Sequence, residues 1–139
     1  MAYAVLQDMI DAYGEEAVAV AADRDGEGQI DQAAVDRELS GAESLINSYL
    51  RARYELPVSP VPDILKKYCI DIAFYQLSDR AGSLTDEKRR RYEDAVSFLK
   101  SVASGAARLD SATPPPSSGG GVSVSSAERQ FTREKMRGL

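Results

Sequence analysis

The 139-residue chain contains no histidine and a single cysteine, Cys69. Without an imidazole there is no His general base, no Ser/His/Asp or Cys/His nucleophile pair and no Cys/His zinc site. Catalytic, metal and cofactor residues are therefore expected to be absent. A lone thiol excludes an intrachain disulfide. Because Cys69 sits in the apolar pattern Ile64, Leu65, Tyr68, Cys69, Ile72, it is expected to pack as a small hydrophobe. Long apolar runs are missing too: the longest weakly apolar stretch, Ala17–Ala22, is six residues, against the roughly 20 that a membrane helix needs. The first residues, Met-Ala-Tyr-Ala-Val-Leu-Gln-Asp, offer neither a cationic region nor the apolar core of a secretory signal. Positive charge is in short supply, with 17 basic against 22 acidic residues and a net charge of −5. Broad binding to a phosphate backbone depends on clustered Lys and Arg, so it is not expected.

What is present reads as helix. Val5, Leu6, Met9, Ile10 and Tyr13 recur at helical spacing, and Gly14 closes the segment. Glu15 to Ala22 is Ala-rich, with two acidic residues in its first turn where they complement the helix dipole. A turn-rich stretch, Asp23 to Gln29, leads to Asp31, an N-cap candidate. The stripe Val35, Leu39, Ala42, Leu45, Ile46, Tyr49, Leu50 and Tyr54 then predicts a helix over 31–54, roughly 36 Å long and the longest element of the chain. Three prolines in Leu56–Pro62 must break it. From Pro62 or Asp63 the pattern is again helical and nearly apolar all round, the mark of a central buried helix. A last helix starts at an N-cap candidate, Thr85, presents Tyr92, Ala95, Val96, Leu99, Val102 and Ala103, and stops at Gly105. The fold class is all-α, a small bundle of four to five helices with an extended C-terminal arm.

Three segments follow: a helical domain over 1–109, a linker over 110–126 and a C-terminal docking segment over 127–139. Residues 111–126 are uncharged and contain a triple Pro and a triple Gly, a linker composition. Sixteen such residues span at most about 55 Å. Residues 127–139 then carry four basic and two acidic side chains, so an acidic body of −7 over 1–126 ends in a tip of +2. Partner binding is assigned to Arg129, Phe131, Arg133, Met136, Arg137 and Leu139, the apolar residues as anchors and the arginines as charged guides.

Other candidates have plainer readings. Asp23–Asp31 matches the first nine positions of an EF-hand loop, with Gly28 sixth and Ile30 eighth. The twelfth position is Ala34 where a bidentate Glu belongs, and Glu27 replaces a shorter residue at the fifth, so an acidic turn with Ile30 tucked into the core is expected. Lys88-Arg89-Arg90-Arg91 fan around a helix beside Asp86, Glu87, Glu93 and Asp94, a solvated charged surface. Tyr49, Tyr54, Tyr68, Tyr75 and Tyr92 fit the boundary between core and surface. Asp71, on the most apolar helix, is expected to pair with Arg51 or Arg53, since an unpaired buried carboxylate is costly.

The stretch Ala42–Val58 with its Tyr-Leu-x-x-Arg-Tyr-x-Leu-Pro string, followed by Val61–Leu77, resembles the Mu-like phage and prophage head-to-tail connector (adaptor, head completion) family. The likeness extends over about residues 1–109 and returns at Phe131–Leu139. It implies a non-enzymatic virion protein of the neck. Such adaptors form homo-oligomeric rings, expected as dodecamers, beneath the portal protein; they extend the DNA channel and offer a platform to a downstream stopper or tail-completion protein. The implied partners are thus the portal, neighbouring subunits, the tail-side protein and DNA passing non-specifically, with no membrane; the implied locations are the virion and, during assembly, the host cytoplasm. Two readings of other classes stand beside it. One is an EF-hand-like calcium-binding protein, which Ala34 opposes. The other is a small DNA-binding regulator, opposed by a proline-rich connection where a helix-turn-helix needs a tight turn.

Overall fold

A computed structural model describes residues 2–23 and 26–109, which form five helices and no strand. They are α1 (Leu6–Tyr13), α2 (Glu15–Ala22), α3 (Gln32–Leu50), α4 (Asp63–Ala81) and α5 (Asp86–Ser104). The all-α expectation holds. Among the described residues no helix is long and apolar enough to cross a membrane. The expected linker and docking segment lie outside the described residues.

Local chemistry sets most boundaries. Gly14, at φ +88°, ends α1 and starts α2 within one residue, a backbone state that a Cβ would strain. Asp8 reaches back from the first turn of α1 to accept the Val5 amide at 2.9 Å. The Asp31 carboxylate accepts the Ala34 amide at 3.2 Å and the Thr85 hydroxyl the Lys88 amide at 3.3 Å, so both expected N-caps are real. Gly105 ends α5 in the left-handed region.

The third helix departs from expectation. It stops at Leu50 and not at residue 54, because the amides of Arg53 and Tyr54 both converge on the Leu50 carbonyl in a closing turn. Its 19 residues match those of α4 and α5, so α3 is not the longest element. Ending early turns Arg53 and Tyr54 towards the end of α5, where both find partners. The proline segment that follows has cis peptides before Pro57 and Pro60 and inserts Val58 into the core. Tyr3, itself buried, donates to Asn47 Oδ1 at 2.5 Å and accepts the Val58 amide at 3.3 Å, tying the N-terminal strap, α3 and the proline segment together.

The central helix is α4, which packs against all four others. Leu65, Cys69, Ile70, Ile72, Ala73, Phe74 and Leu77 are buried around its circumference. The small residues Val18, Ala21 and Ala22 let α2 approach closely, while Val35, Leu39, Ala42, Ile46 and Leu50 form the inner stripe of α3 and Ala95, Leu99 and Val102 that of α5. Ile64 departs from the expected apolar pattern: at the first turn of α4 it lies outside the cover of the neighbouring helices and is 36% exposed. Ring pairs seal the α4–α5 seam, Tyr75 stacking on Tyr92 at 4.1 Å and Tyr68 meeting Phe98 at 5.0 Å. Glu38, buried on α3, is matched by Arg80 of α4 at 3.2 Å, a charge contact without hydrogen-bond alignment.

Burial decides the outcome of truncation. Ile72→Ala is expected to lower the free energy of unfolding in urea by about 2–5 kcal/mol. Ile64→Ala, two helical turns away, is expected to cost less than about 1 kcal/mol in the same measurement.

Candidate functional site

The residues assigned to partner binding, Arg129, Phe131, Arg133, Met136, Arg137 and Leu139, lie outside the described residues. What the structure shows is where the body hands over to them. Arg53 donates from Nε to the Ala103 carbonyl at 3.3 Å and from Nη2 to the Ser104 carbonyl at 3.1 Å, satisfying the frayed end of α5. A Cβ on Gly105 would stand 2.9 Å from that guanidinium, and the residue is at φ +85°, so glycine suits this corner twice over. Tyr54 accepts the Leu109 amide at 2.9 Å, and Leu109 is buried. Arg53, Tyr54, Val102, Ala107 and Leu109 line a cavity of about 350 Å³ there. The last described residue is therefore locked to the body. Reading Arg53 and Tyr54 as part of α3 hid this role; the Pro-rich run just after them was the one sign that the helix could stop short.

The second cluster lies between α1, α4 and α5. Asp71 is buried, and its partner is Tyr13, whose hydroxyl donates to Oδ1. The expected pairing with Arg51 or Arg53 does not occur, since Arg53 is committed to the end of α5. Tyr13 stacks on Phe74 with ring centroids 4.0 Å apart, and the Arg91 guanidinium lies over the Tyr13 ring, 5.2 Å from its centroid. Burial raises the Asp71 pKa above the ordinary carboxylate range, against the opposing effects of the Tyr13 hydrogen bond, Lys67 and Arg91; Asp94 adds to the rise. Burial also raises the Tyr13 phenol, reinforced by its hydrogen bond to Asp71.

The basic run of α5 is less uniformly solvated than expected. Arg89 and Arg90 are exposed. Lys88 is half-buried, donating to the Ser83 carbonyl at 2.9 Å with its ammonium 4.7 Å over Phe74, and burial lowers its pKa. Arg91 pairs with Glu87 at 2.6 Å. The acidic loop also has a local purpose. Asp23 accepts the Glu27 and Gly28 amides at 3.1 and 2.9 Å, while Asp31 caps α3 and Ile30 packs against the core. Residues 24 and 25 lie outside the described residues, among which no group of three acidic, Cys or His side chains could hold a metal. Cys69 is buried against the Leu39 carbonyl, 3.8 Å from Sγ, and burial pushes its thiol up to about 12.

A carboxyl whose folded pKa exceeds its unfolded value keeps its proton longer in the native state. It favours folding at low pH, and that contribution is lost as pH rises through the two values. Asp71→Asn keeps an acceptor for Tyr13 without the charge. Its stability relative to the parent is expected to grow from pH 4 to pH 7 in thermal unfolding, and a pH-independent difference would contradict this linkage.

Comparison with known proteins fits this helical body. The chain is 44% identical over 80 residues to the Mu-like prophage FluMu protein gp36 of Haemophilus influenzae, covering 58% of this chain and 55% of that protein, so the match spans about half of the relative's length. It is 30% identical over 106 residues to Gene product J of Escherichia phage Mu, covering 76% of this chain and 74% of the relative. The family model for Bacteriophage Mu, Gp36 matches residues 3–126. With that model spanning the five helices and the proline segment between α3 and α4, this chain belongs to the Bacteriophage Mu Gp36 family of phage proteins.

Proposed function

We propose that the chain is a structural, non-catalytic virion protein, a head-to-tail connector that assembles as a ring beneath the portal. It extends the DNA channel and presents its far side to a stopper or tail-completion protein. The observation that carries this reading is the locked corner at Leu109, from which thirty further residues leave a compact acidic body. Residues 1–109 hold 19 acidic and 13 basic side chains, whereas 127–139 hold four basic and two acidic ones. A fixed body with a tethered, oppositely charged terminal segment suits an assembly held by surfaces and arms, and an acidic wall would not grip passing phosphate.

Membership in a phage family supports the reading from outside the geometry. Support from within comes from the polar side chains, which serve structure: Asp8, Asp31 and Thr85 start helices, Arg53 ends one, and Asp71 and Glu38 are matched across helices. The neck of the virion, and the host cytoplasm before assembly, are the locations this role entails.

Size-exclusion chromatography with light scattering, run on the protein alone and mixed with the portal of the same phage, tests it. The full chain is expected to co-elute with the portal as a ring-sized complex, and a chain ending at Leu109 to do so less well. Full-length protein that stays monomeric and ignores the portal would overturn the connector reading.

A further inference from the structure

The N-terminal strap and α3 enclose a groove of about 310 Å³. Its floor is apolar: Ala4 and Leu39 are buried beneath it, and Val5, a large hydrophobe that is 52% exposed, is the side chain it offers. Its rim is acidic. Asp36, Ser40 and Glu43 follow one another along α3 at the spacing of a single helix face. Among the described residues neither Asp36 nor Glu43 meets a basic side chain within ion-pair distance. The surroundings share this sign, since residues 1–50 contain eleven acidic and two basic side chains.

Two other cavities have the opposite character: the one beside Tyr13 and Phe74 is edged by Lys88 and Arg91 with Glu87, and the one at the Leu109 corner by Arg53 and Arg108. A third, at the loop before α3, is acidic through Asp23, Glu27 and Asp31, but its lining is mostly polar, with Ile30 and Ala33 as the apolar residues. An apolar segment flanked by cations would be repelled from the two basic cavities and attracted to the groove on α3. This chain carries such a segment beyond its described body: residues 127–139 set Phe131, Met136 and Leu139 among Arg129, Arg133, Lys135 and Arg137. The seventeen residues between Leu109 and this segment allow a reach of up to about 55 Å from the body.

We infer that the groove between the N-terminal strap and α3 receives the segment 127–139 of a second copy of this chain, apolar side chains on Val5 and arginines against Asp36 and Glu43. The inference rests on the connector reading for the presence of neighbouring subunits. The contact is heterologous, the donor surface differing from the acceptor surface, and so it propagates from copy to copy until a ring closes.

Disulfide trapping between full-length variants tests it, because Cys69 is buried and leaves introduced thiols as the reactive pair. Ser40→Cys and Thr132→Cys proteins are mixed under mild oxidation, and linked peptides are read by mass spectrometry. Ser104→Cys replaces Ser40→Cys as the control; Ser104 contacts Arg53, thirteen residues and about 20 Å along the α3 direction from Ser40. The mixed Ser40–Thr132 adduct is expected in clear excess over the control. Asp36→Lys with Glu43→Lys should cut it about tenfold, the effect of losing two exposed charge pairs, and Arg133→Glu with Arg137→Glu on the donor should restore it. Equal trapping at both positions, indifference to charge reversal, or a link formed only within one chain of a Ser40→Cys/Thr132→Cys double variant would overturn the inference. Portal co-elution of the same variants separates the two readings: an adduct without portal binding sinks the connector role and leaves the groove, whereas portal binding without an adduct sinks the groove alone.

Discussion

Everything in this fold depends on keeping one helix dry. The middle of α4, residues 69–74, is buried on all sides, and a helix of that kind cannot exist without a jacket around that stretch. Four helices supply it, two of them only eight residues long. Such short helices gain little from their own hydrogen bonds, so α1 and α2 persist because Met9, Val18 and Ala21 are needed against α4 and because a single glycine folds one onto the other. The polar residues that α4 nevertheless carries set the places where the jacket must be specific. Asp71 requires Tyr13 from α1, and Arg80 reaches Glu38 on α3. Register among helices that would otherwise slide on a greasy surface is pinned at these points.

The Tyr-Leu-x-x-Arg-Tyr-x-Leu-Pro string finds its physical meaning at the opposite end of α3. Leu50 ends the helix and fills the core, Arg53 closes α5, and Tyr54 holds Leu109. Val58, a residue beyond the string's proline, plugs the core under Tyr3. A run of residues that reads as the tail of one helix thus fastens the chain's N-terminal strap, its middle and its last described residue into a single unit.

Helices and their caps were legible because their signals are local: a glycine forced to positive φ, a side-chain oxygen three residues before an orphan amide, apolar residues at one-turn intervals. The early stop of α3 was not legible, because periodicity continued through Tyr54 while the competing attraction, the exposed carbonyls at the end of α5, lies fifty residues away. That Asp71 needs a partner is legible from its apolar neighbours alone. Choosing Tyr13 over an arginine required knowing that α1 crosses α4 at that level. The half-buried setting of Lys88 is not legible for the same reason, since a run of like charges reads as surface until Phe74 is placed beneath it. Of the candidate site, the apolar and basic character of the terminal segment could be read directly; the acidic groove could not, because it joins residues 4 and 5 to a helix face some thirty positions later.

The hydrogen bond from Leu109 to Tyr54 also decides how the body bears mechanical load. A pull on the residues beyond it enters through the peptide at Leu109 and is shared at once with the turn after α3 and, through Arg53, with the last carbonyls of α5. Tension is thereby divided between two helices before it can peel either one from its end, and unravelling from the C-terminal side must first detach a buried leucine and a tyrosine together.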